Sequence, residues 1–298
     1  MRNLLFRETR PVRPRSDPAE DRSSLAALVR RHDRDRYQTA LFAPAARREA
    51  LLALYAFNYE IARVRETVTQ PMLGQIRLQW WREVVDAAYV GTPPRQHPVA
   101  LSLTAVIREL ALSRGHFDRL IDAREQDLAD EPPATLAALE AYAEESSAPL
   151  IALALEALGA REPGLGAMIR DVGIGYALAG LLRATPFHAR TGRTYIPTDI
   201  ATRYGFDPAD YTAARTSPGL RAAVRNIADA AAQHLHTARE HRADVPRAAL
   251  PALLPAVVAG RYLAALERAG YDPFAPALAV PDPLQIWHLI LASLRRRA

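Results

Sequence analysis

The sequence contains neither cysteine nor lysine. Without cysteine the chain cannot form disulfides, thiolate zinc sites or a cysteine nucleophile, which fits a reducing compartment. Arginine supplies all 38 basic residues, and the formal net charge is +5. The arginine-rich runs lie only near the two ends of the chain, without the interleaved aromatic residues of a nucleic-acid-binding face. We therefore expect no nucleic-acid partner, and at most a weak attraction of these ends to anionic lipid head groups.

Long uninterrupted apolar runs are also missing. The most apolar stretch, 248–266, contains two prolines and Arg261, so it is too broken to cross a bilayer as one helix. The arginine- and proline-rich N-terminus lacks the layout of a secretory signal. Residues 1–22 have no apolar period and are predicted to be disordered, and residues 23–298 are predicted to form one helical domain.

Apolar residues spaced by three and four dominate the rest of the chain, and no convincing strand pattern occurs. The strongest helical pattern covers residues 45–68, with Pro71 closing it. Further helices are predicted at 76–89, 98–112, 116–130, 136–158, 165–184, 217–242, 246–269 and 283–296, and a loop-like segment at 186–205. The breaks between them are short. The sequence therefore predicts an all-α fold, a single bundle of about eight to ten helices.

Carboxylate pairs of the kind that bind magnesium are scarce. Metal-dependent diphosphate chemistry needs acidic side chains three or four residues apart on one helix face. The predicted helix 45–68 carries no such pair, and no acidic residue lies between Asp171 and Asp199. The acidic residues of 122–131 are interpreted as a solvated helix end, with a metal site as the alternative. No His-x-x-x-His pair occurs, so zinc is not expected, and only His188 is kept as a candidate.

Three stretches resemble the squalene/phytoene synthase superfamily: 51–57, 120–128 with 139–142, and 175–183 followed by 192–199. In order and spacing they span most of the chain. The resemblance implies the helical bundle of isoprenoid synthases. In the catalytic members, two aspartate-rich motifs bind Mg²⁺ and the diphosphates of two isoprenoid substrates.

Alignment by eye places these two motifs on residues 62–66 and 184–188. Only Glu66 keeps a carboxylate in the first motif. Both aspartates of the second are absent, and Pro186 is expected to disturb the helix there. The downstream element Gly-Arg-x-Tyr-Ile-Pro-x-Asp is retained at 192–199. We therefore expect no catalytic residues and no cofactor, with Mg²⁺ needed only if the chain is an enzyme after all.

One branch of the superfamily is more similar still, the assembly factors of respiratory complex I. The similarity is carried by residues 56–62, 74–81 and 182–188. It implies a non-catalytic protein whose partners are complex I subunits or other assembly factors. The location inherited from this branch is cytoplasmic, with peripheral contact to the inner membrane.

Two alternatives stay open. The first is an active prenyltransferase that condenses prenyl diphosphates, with arginines holding the diphosphate bidentately in place of metal. The arginines available for this are Arg63, Arg65, Arg183 and Arg193. The second is a carrier that binds an isoprenoid or lipid inside the bundle. A vestigial pocket is predicted to have a polar lining made of Asn58, Arg63, Glu66, Asp127, Arg183, His188, Arg193 and Tyr195.

Overall fold

A computed structural model describes residues 18–161, 163–241 and 245–295, with side chains from residue 25 onward except that of Pro163. Within these ranges the chain is helical, with turns and no strand, which confirms the all-α prediction. Residues 1–22 were predicted to be disordered. Residues 1–17 lie outside the described residues, and for residues 18–22 the prediction is wrong, because they belong to the first helix.

The helices follow one another with short connections. Their bounds are α1 Pro18–His32, α2 Arg34–Ala40, α3 Ala45–Ala62, α4 Pro71–Val90, α5 Pro98–Leu110, α6 Arg114–Gln126, α7 Leu136–Leu158, α8 Gly166–Arg183, α9 Thr185–Arg190, α10 Thr198–Tyr204, α11 Pro208–Thr212, α12 Pro218–Glu240, α13 Leu250–Leu253, α14 Pro255–Arg268, α15 Pro276–Ala279 and α16 Gln285–Arg295. Single 3₁₀ turns occur at Arg65–Thr67, Pro163–Leu165 and Arg247–Ala249.

Proline explains most differences between predicted and observed helices. The helix predicted over 45–68 ends at Ala62, and Pro71 begins α4 instead of closing that helix. Proline suits a first turn because its missing N–H has no helical partner there. For the same reason the helix predicted over 246–269 is divided, with Pro255 opening α14. The predicted loop 186–205 contains two short helices, α9 and α10.

The core is one continuous apolar cluster that runs from α1 to α14. Helix α8 lies at its centre and packs against α7, α12 and α14, while α3 packs against α1, α5 and α7. Helix α16 lies outside this cluster: Leu289 and Ala292 pack on Leu254 and Val258 in a small separate one. The bundle thus places α3 and α8, the helices that end at the two aligned motifs, around the same interior.

Helices α7 and α8 approach so closely that one position tolerates only glycine. A Cβ at Gly173 would lie 2.8 Å from the backbone of Ala148. We expect Gly173→Ala to lower the free energy of unfolding by about 1–3 kcal/mol, because the two helices must separate. In the same helix, a Cβ at Gly180 would meet nothing within 4 Å. Gly180→Ala should therefore raise the free energy of unfolding by about 0.5–1 kcal/mol. Thermal unfolding midpoints that move in the same direction for both variants would contradict this.

No single helix among the described residues has the length and apolar character needed to cross a membrane. The bent pair Arg247–Leu253 and Pro255–Arg268, joined at an angle of 41°, meets the length and composition criteria only when both parts are taken together.

Candidate functional site

A cavity of about 1060 Å³ opens between α2, α3, α7, α8 and α14. Ala62, the first position of the first aligned motif, lines it. On α8 the lining includes Gly180 and Arg183, whereas Ala184, the first position of the second motif, is not part of it. The cavity therefore occupies the place where the resemblance puts a substrate site, and the positions expected to hold metal ligands in catalytic relatives give it no carboxylate.

An ion pair between α2 and α8 closes one side of this cavity. The carboxylate of Asp35, which is buried, accepts hydrogen bonds from the guanidinium of Arg183 and from the side-chain amide of Gln285, the latter at 2.9 Å. Burial tends to lower the pKa of Arg183, but the charge of Asp35 outweighs it and keeps the guanidinium firmly protonated. Asp35 thus serves as the internal counter-anion of the arginine that the motif alignment places beside the lost aspartates.

A second arginine that lines the cavity, Arg36 on α2, is also paired with a carboxylate. Arg36 donates to Asp33 at 2.8 Å, and its guanidinium lies 4.7 Å from the centre of the Tyr176 ring. Asp33 also caps α2 by accepting a hydrogen bond from the Arg36 backbone N–H. Because Asp33, Arg36 and Tyr176 all line the cavity, this wall presents a neutralised pair and not a free cation.

Asp127 is the centre of a buried cluster composed of Arg124, Asp127, Tyr142, Arg193 and Tyr195. Its Oδ1 accepts hydrogen bonds at 2.8 Å from both tyrosine hydroxyls, and its Oδ2 accepts one at 3.1 Å from Arg124. Arg193 adds a donor at 3.4 Å and also bonds the Asp127 carbonyl oxygen at 3.0 Å. Burial raises the pKa of both tyrosines well above its usual value, so both remain donors. Four donors thus surround the carboxylate, three of them on Oδ1, and two of the four are arginines that balance its charge.

His188 stacks on this Asp127 cluster. Its ring lies 4.9 Å from that of Tyr195, and the guanidinium of Arg193 packs on the same tyrosine at 4.7 Å. Burial first, and the charge of Arg193 second, lower the pKa of His188 to about 4. The imidazole is therefore neutral near pH 7, where an aspartate at this position would carry a negative charge.

This pKa predicts an acid-dependent loss of stability. In the unfolded chain His188 titrates near 6.5, so between about pH 6.5 and 4 the unfolded state binds the additional proton and stability falls as pH falls. By this linkage His188 contributes at most about 3 kcal/mol to that loss. We expect His188→Phe, which keeps the ring stacking, to flatten the decline in unfolding midpoint over this range. Replacing the exposed His236 should leave the decline unchanged, and equal slopes for wild type and His188→Phe would contradict the assignment.

The predicted pocket residues fall into three groups. Asn58 and Arg183 line the cavity. Four others contact one another but do not line the cavity. They are Asp127, His188, Arg193 and Tyr195. Arg63 and Glu66 lie at the end of α3 and on the turn after it, and neither lines the cavity. Glu66 is exposed and does not line the cavity, but it lies near the Asp127 cluster: partial burial first, and the charge of Asp127, raise its pKa, while the charges of Arg63 and Arg193 oppose this.

The four arginines proposed as diphosphate ligands each face a carboxylate. The pairs are Arg63 with Glu60 at 3.7 Å, Arg65 with Asp130 at 2.6 Å, Arg183 with Asp35, and Arg193 with Asp127 at 3.4 Å. A diphosphate would have to displace these partners before it could bind the arginines. The arrangement therefore gives the metal-free prenyltransferase alternative no free cation among the residues it names.

The acidic residues of 122–131 are likewise engaged. Asp122 and Glu125 both pair with Arg82, and Asp130 pairs with Arg65. Across the described ranges no group of three histidine or acidic side chains is placed to hold a metal ion. These contacts favour the interpretation as a charged helix surface for Asp122, Glu125 and Asp130. For Asp127 that interpretation is wrong, because its side chain is buried in the cluster with Arg124 and Tyr142.

Three residues that line the cavity each carry a buried polar atom without a hydrogen-bond partner among the described residues: Asn58 Oδ1, Arg124 Nε and Ser147 Oγ. Buried polar groups are normally satisfied, which distinguishes these three positions. Ser147 and Arg124 carry no sequence signature of a binding role, which is why sequence reasoning found only Asn58. The cavity thus combines apolar residues such as Leu181 and Val258 with charged side chains such as Asp35 and Arg183, and its volume is that of a small-molecule site.

Comparison with known protein families gives one family. The sequence model of the family described as squalene/phytoene synthase matches residues 29–288. Complex I assembly factor 6 of Rattus norvegicus is 32% identical over 270 residues, which are 91% of this chain and 81% of that protein. Presqualene diphosphate synthase of Sinorhizobium fredii is 25% identical over 247 residues, 83% of this chain and 86% of that protein.

A comparison with solved structures finds a similar fold. The crystal structure of the squalene synthase HpnC from Alicyclobacillus acidocaldarius is similar with a TM-score of 0.74 and 23% sequence identity, over 86% of this chain and 98% of that one. The likeness confirms the predicted isoprenoid-synthase type of helical bundle.

Proposed function

Because the chain belongs to the squalene/phytoene synthase family, we propose that it uses the family's helical bundle as a non-catalytic factor in the assembly of respiratory complex I. The observation that carries this proposal is the cavity of about 1060 Å³. Its wall holds Asp35 and Asp33 in ion pairs with arginines, whereas prenyl transfer would need free carboxylates to bind metal. The greater identity to an assembly factor, 32% against 25% for presqualene diphosphate synthase, supports the same assignment.

The chemistry of prenyl transfer explains why these losses matter. Ionisation of an allylic diphosphate places negative charge on the leaving group, which metal ions or fixed positive charge must stabilise. Here Glu66 is exposed and His188 is neutral near pH 7. The four arginines named as diphosphate ligands, Arg63, Arg65, Arg183 and Arg193, are each paired with a carboxylate. We therefore propose that the protein works without bound Mg²⁺ and does not turn over prenyl diphosphates.

The proposed partners are complex I subunits or other assembly factors, and the proposed location is the cytoplasmic side of the inner membrane. Deleting the gene in the organism that encodes the chain should abolish or strongly reduce NADH:ubiquinone oxidoreductase activity and the intact complex on native gels. Succinate dehydrogenase activity is the control and should not change. Complementation with Glu66→Gln should restore complex I as fully as the wild type does, because no metal ligand is required. Intact, fully active complex I in the deletion strain would refute the proposal.

A second candidate function, binding of an isoprenoid or lipid, is favoured by one specific observation. The cavity of about 1060 Å³ is large enough for a drug-sized or larger ligand, and its lining includes Asn58, Arg124 and Ser147, each of which has a buried polar atom without a partner. Native mass spectrometry of the purified protein should then show a co-purifying lipid. We expect Ser147→Leu, which fills the cavity with an apolar side chain, to remove that mass, whereas its persistence in this variant would place the lipid elsewhere.

A further inference from the structure

The C-terminal helix exposes an apolar face. Leu284, Trp287, Leu291 and Leu294, here called the α16 stripe, are 54%, 64%, 42% and 73% exposed. Their spacing of three and four residues places them on one side of the helix. The opposite side is used for packing, with Leu289 and Ala292 buried against α14. A surface helix normally turns polar residues outward, so the α16 stripe requires an explanation.

The stripe begins at the mouth of the cavity. Pro283 and Gln285, the neighbours of Leu284, both line the cavity, as does Val280, which is 68% exposed. Gln285 hydrogen-bonds Asp35 and Gln38, each at 2.9 Å, and so fixes the start of α16 against α2. The apolar surface is therefore continuous from the cavity opening along the outer side of α16.

Cations lie at the cavity mouth and at the far end of the stripe, and Asp282, the acidic residue just before the stripe, is paired with Arg261. Arg31, Arg34 and Arg268 are exposed and line the cavity mouth. None of the three forms an ion pair with another side chain in the described part of the chain. Arg295 ends α16, and the sequence continues with two more arginines; from residue 283 to the C-terminus there is no acidic residue. An apolar stripe with tryptophan and leucine, bordered by arginine, matches an anionic lipid surface, whose acyl boundary takes the apolar side chains and whose head groups take the cations.

We propose that the α16 stripe and the cavity mouth form a docking face for an anionic membrane. Trp287, Leu291 and Leu294 enter the boundary between head groups and acyl chains, and the arginines at the mouth bind lipid phosphates. When the protein is docked in this way, its cavity opens toward the bilayer. The protein lies on the membrane surface through this face and needs no spanning segment for it.

A second exposed apolar surface, on α4, provides a matched control. Met72 and Ile76 are 68% and 60% exposed. The groove beside Ile76 is lined by Glu83 and Glu125, each paired with an arginine, and no arginine lines the groove itself, so the groove provides no free cation for lipid phosphates. Substitutions there remove a similar amount of exposed apolar surface without touching the α16 stripe.

Vesicle flotation with the full chain tests the docking face. The vesicles are phosphatidylcholine alone or phosphatidylcholine mixed with phosphatidylglycerol. We expect the wild type to float with the mixed vesicles only, and binding to weaken with added salt. Trp287→Ser with Leu291→Ser should weaken partitioning roughly tenfold or more, since two large apolar side chains no longer enter the boundary. Met72→Ser with Ile76→Ser should leave partitioning unchanged.

Tryptophan fluorescence gives an independent readout. Trp287 is 64% exposed, so mixed vesicles should shift its emission to shorter wavelength, and lipids brominated near the head group should quench it. Both signals should be missing in Trp287→Phe. Wild-type protein that fails to float, or equal flotation of the α16 and α4 variants, would overturn the proposal. So would a change of oligomeric state in the α16 variant alone, since the stripe would then be covered by a second copy.

Discussion

Replacing Asp127 by alanine is expected to lower the free energy of unfolding by about 3–5 kcal/mol, the largest effect of any single substitution considered for this protein. Asp127 is 5% exposed and neutralises two arginines, Arg124 and Arg193. Its removal leaves two guanidiniums without their carboxylate and two tyrosine hydroxyls without their acceptor. A buried charge left unpaired costs far more than the intact pair contributes.

Thermal or urea unfolding followed by circular dichroism would measure this loss. The control is Asp130→Ala, three residues further along, whose carboxylate is 79% exposed and pairs with Arg65 at the surface. We expect little change in its unfolding midpoint, because exposed ion pairs contribute little to stability. Similar midpoints for the two variants would show that the Asp127 cluster does not stabilise the fold as described.

Replacing Asp35 by asparagine is expected to create a binding site for pyrophosphate. The change removes the counter-anion of Arg183 but keeps an oxygen acceptor for Gln285. A freed guanidinium at the cavity wall should raise the affinity for inorganic pyrophosphate by about tenfold or more, from the strength of charge-assisted hydrogen bonds. Isothermal titration without Mg²⁺ measures the change.

The matched control for this experiment is Asp130→Asn, which alters the net charge equally but lies away from the cavity. It should leave pyrophosphate affinity at the wild-type level. If Asp35→Asn bound pyrophosphate no more tightly than wild type, the Asp35–Arg183 pair would not be what keeps the cavity from binding anions.

The helices that could be predicted from sequence are those with local signals at both ends. Helix α7 was expected at 136–158 and is observed over Leu136–Leu158. Its start is capped by the Thr135 side chain, and Gly159 adopts the left-handed conformation that ends it. Where prolines follow one another closely, as after 246, the apolar period continues through a break that only the backbone conformation reveals.

The site was predictable as far as the family motifs extend. Asp127, His188, Arg193 and Tyr195 were chosen by resemblance, and the structure brings these four together. Asp35, by contrast, meets Arg183 across 148 residues of sequence and Gln285 across 250. Contacts at such separation leave no local pattern, because neither partner needs a particular neighbour in sequence. The neutralised cavity, on which the functional proposal depends, therefore became visible only in three dimensions.

The most direct test of the central claim is the release of pyrophosphate from farnesyl diphosphate by purified protein in the presence of Mg²⁺. Because the aligned motif positions give the cavity no carboxylate, and Asp33 and Asp35 in its wall are each paired with an arginine, we predict no release above the protein-free control, and no change on adding EDTA. Magnesium-dependent release by the wild type that is lost in Glu66→Gln would contradict the account.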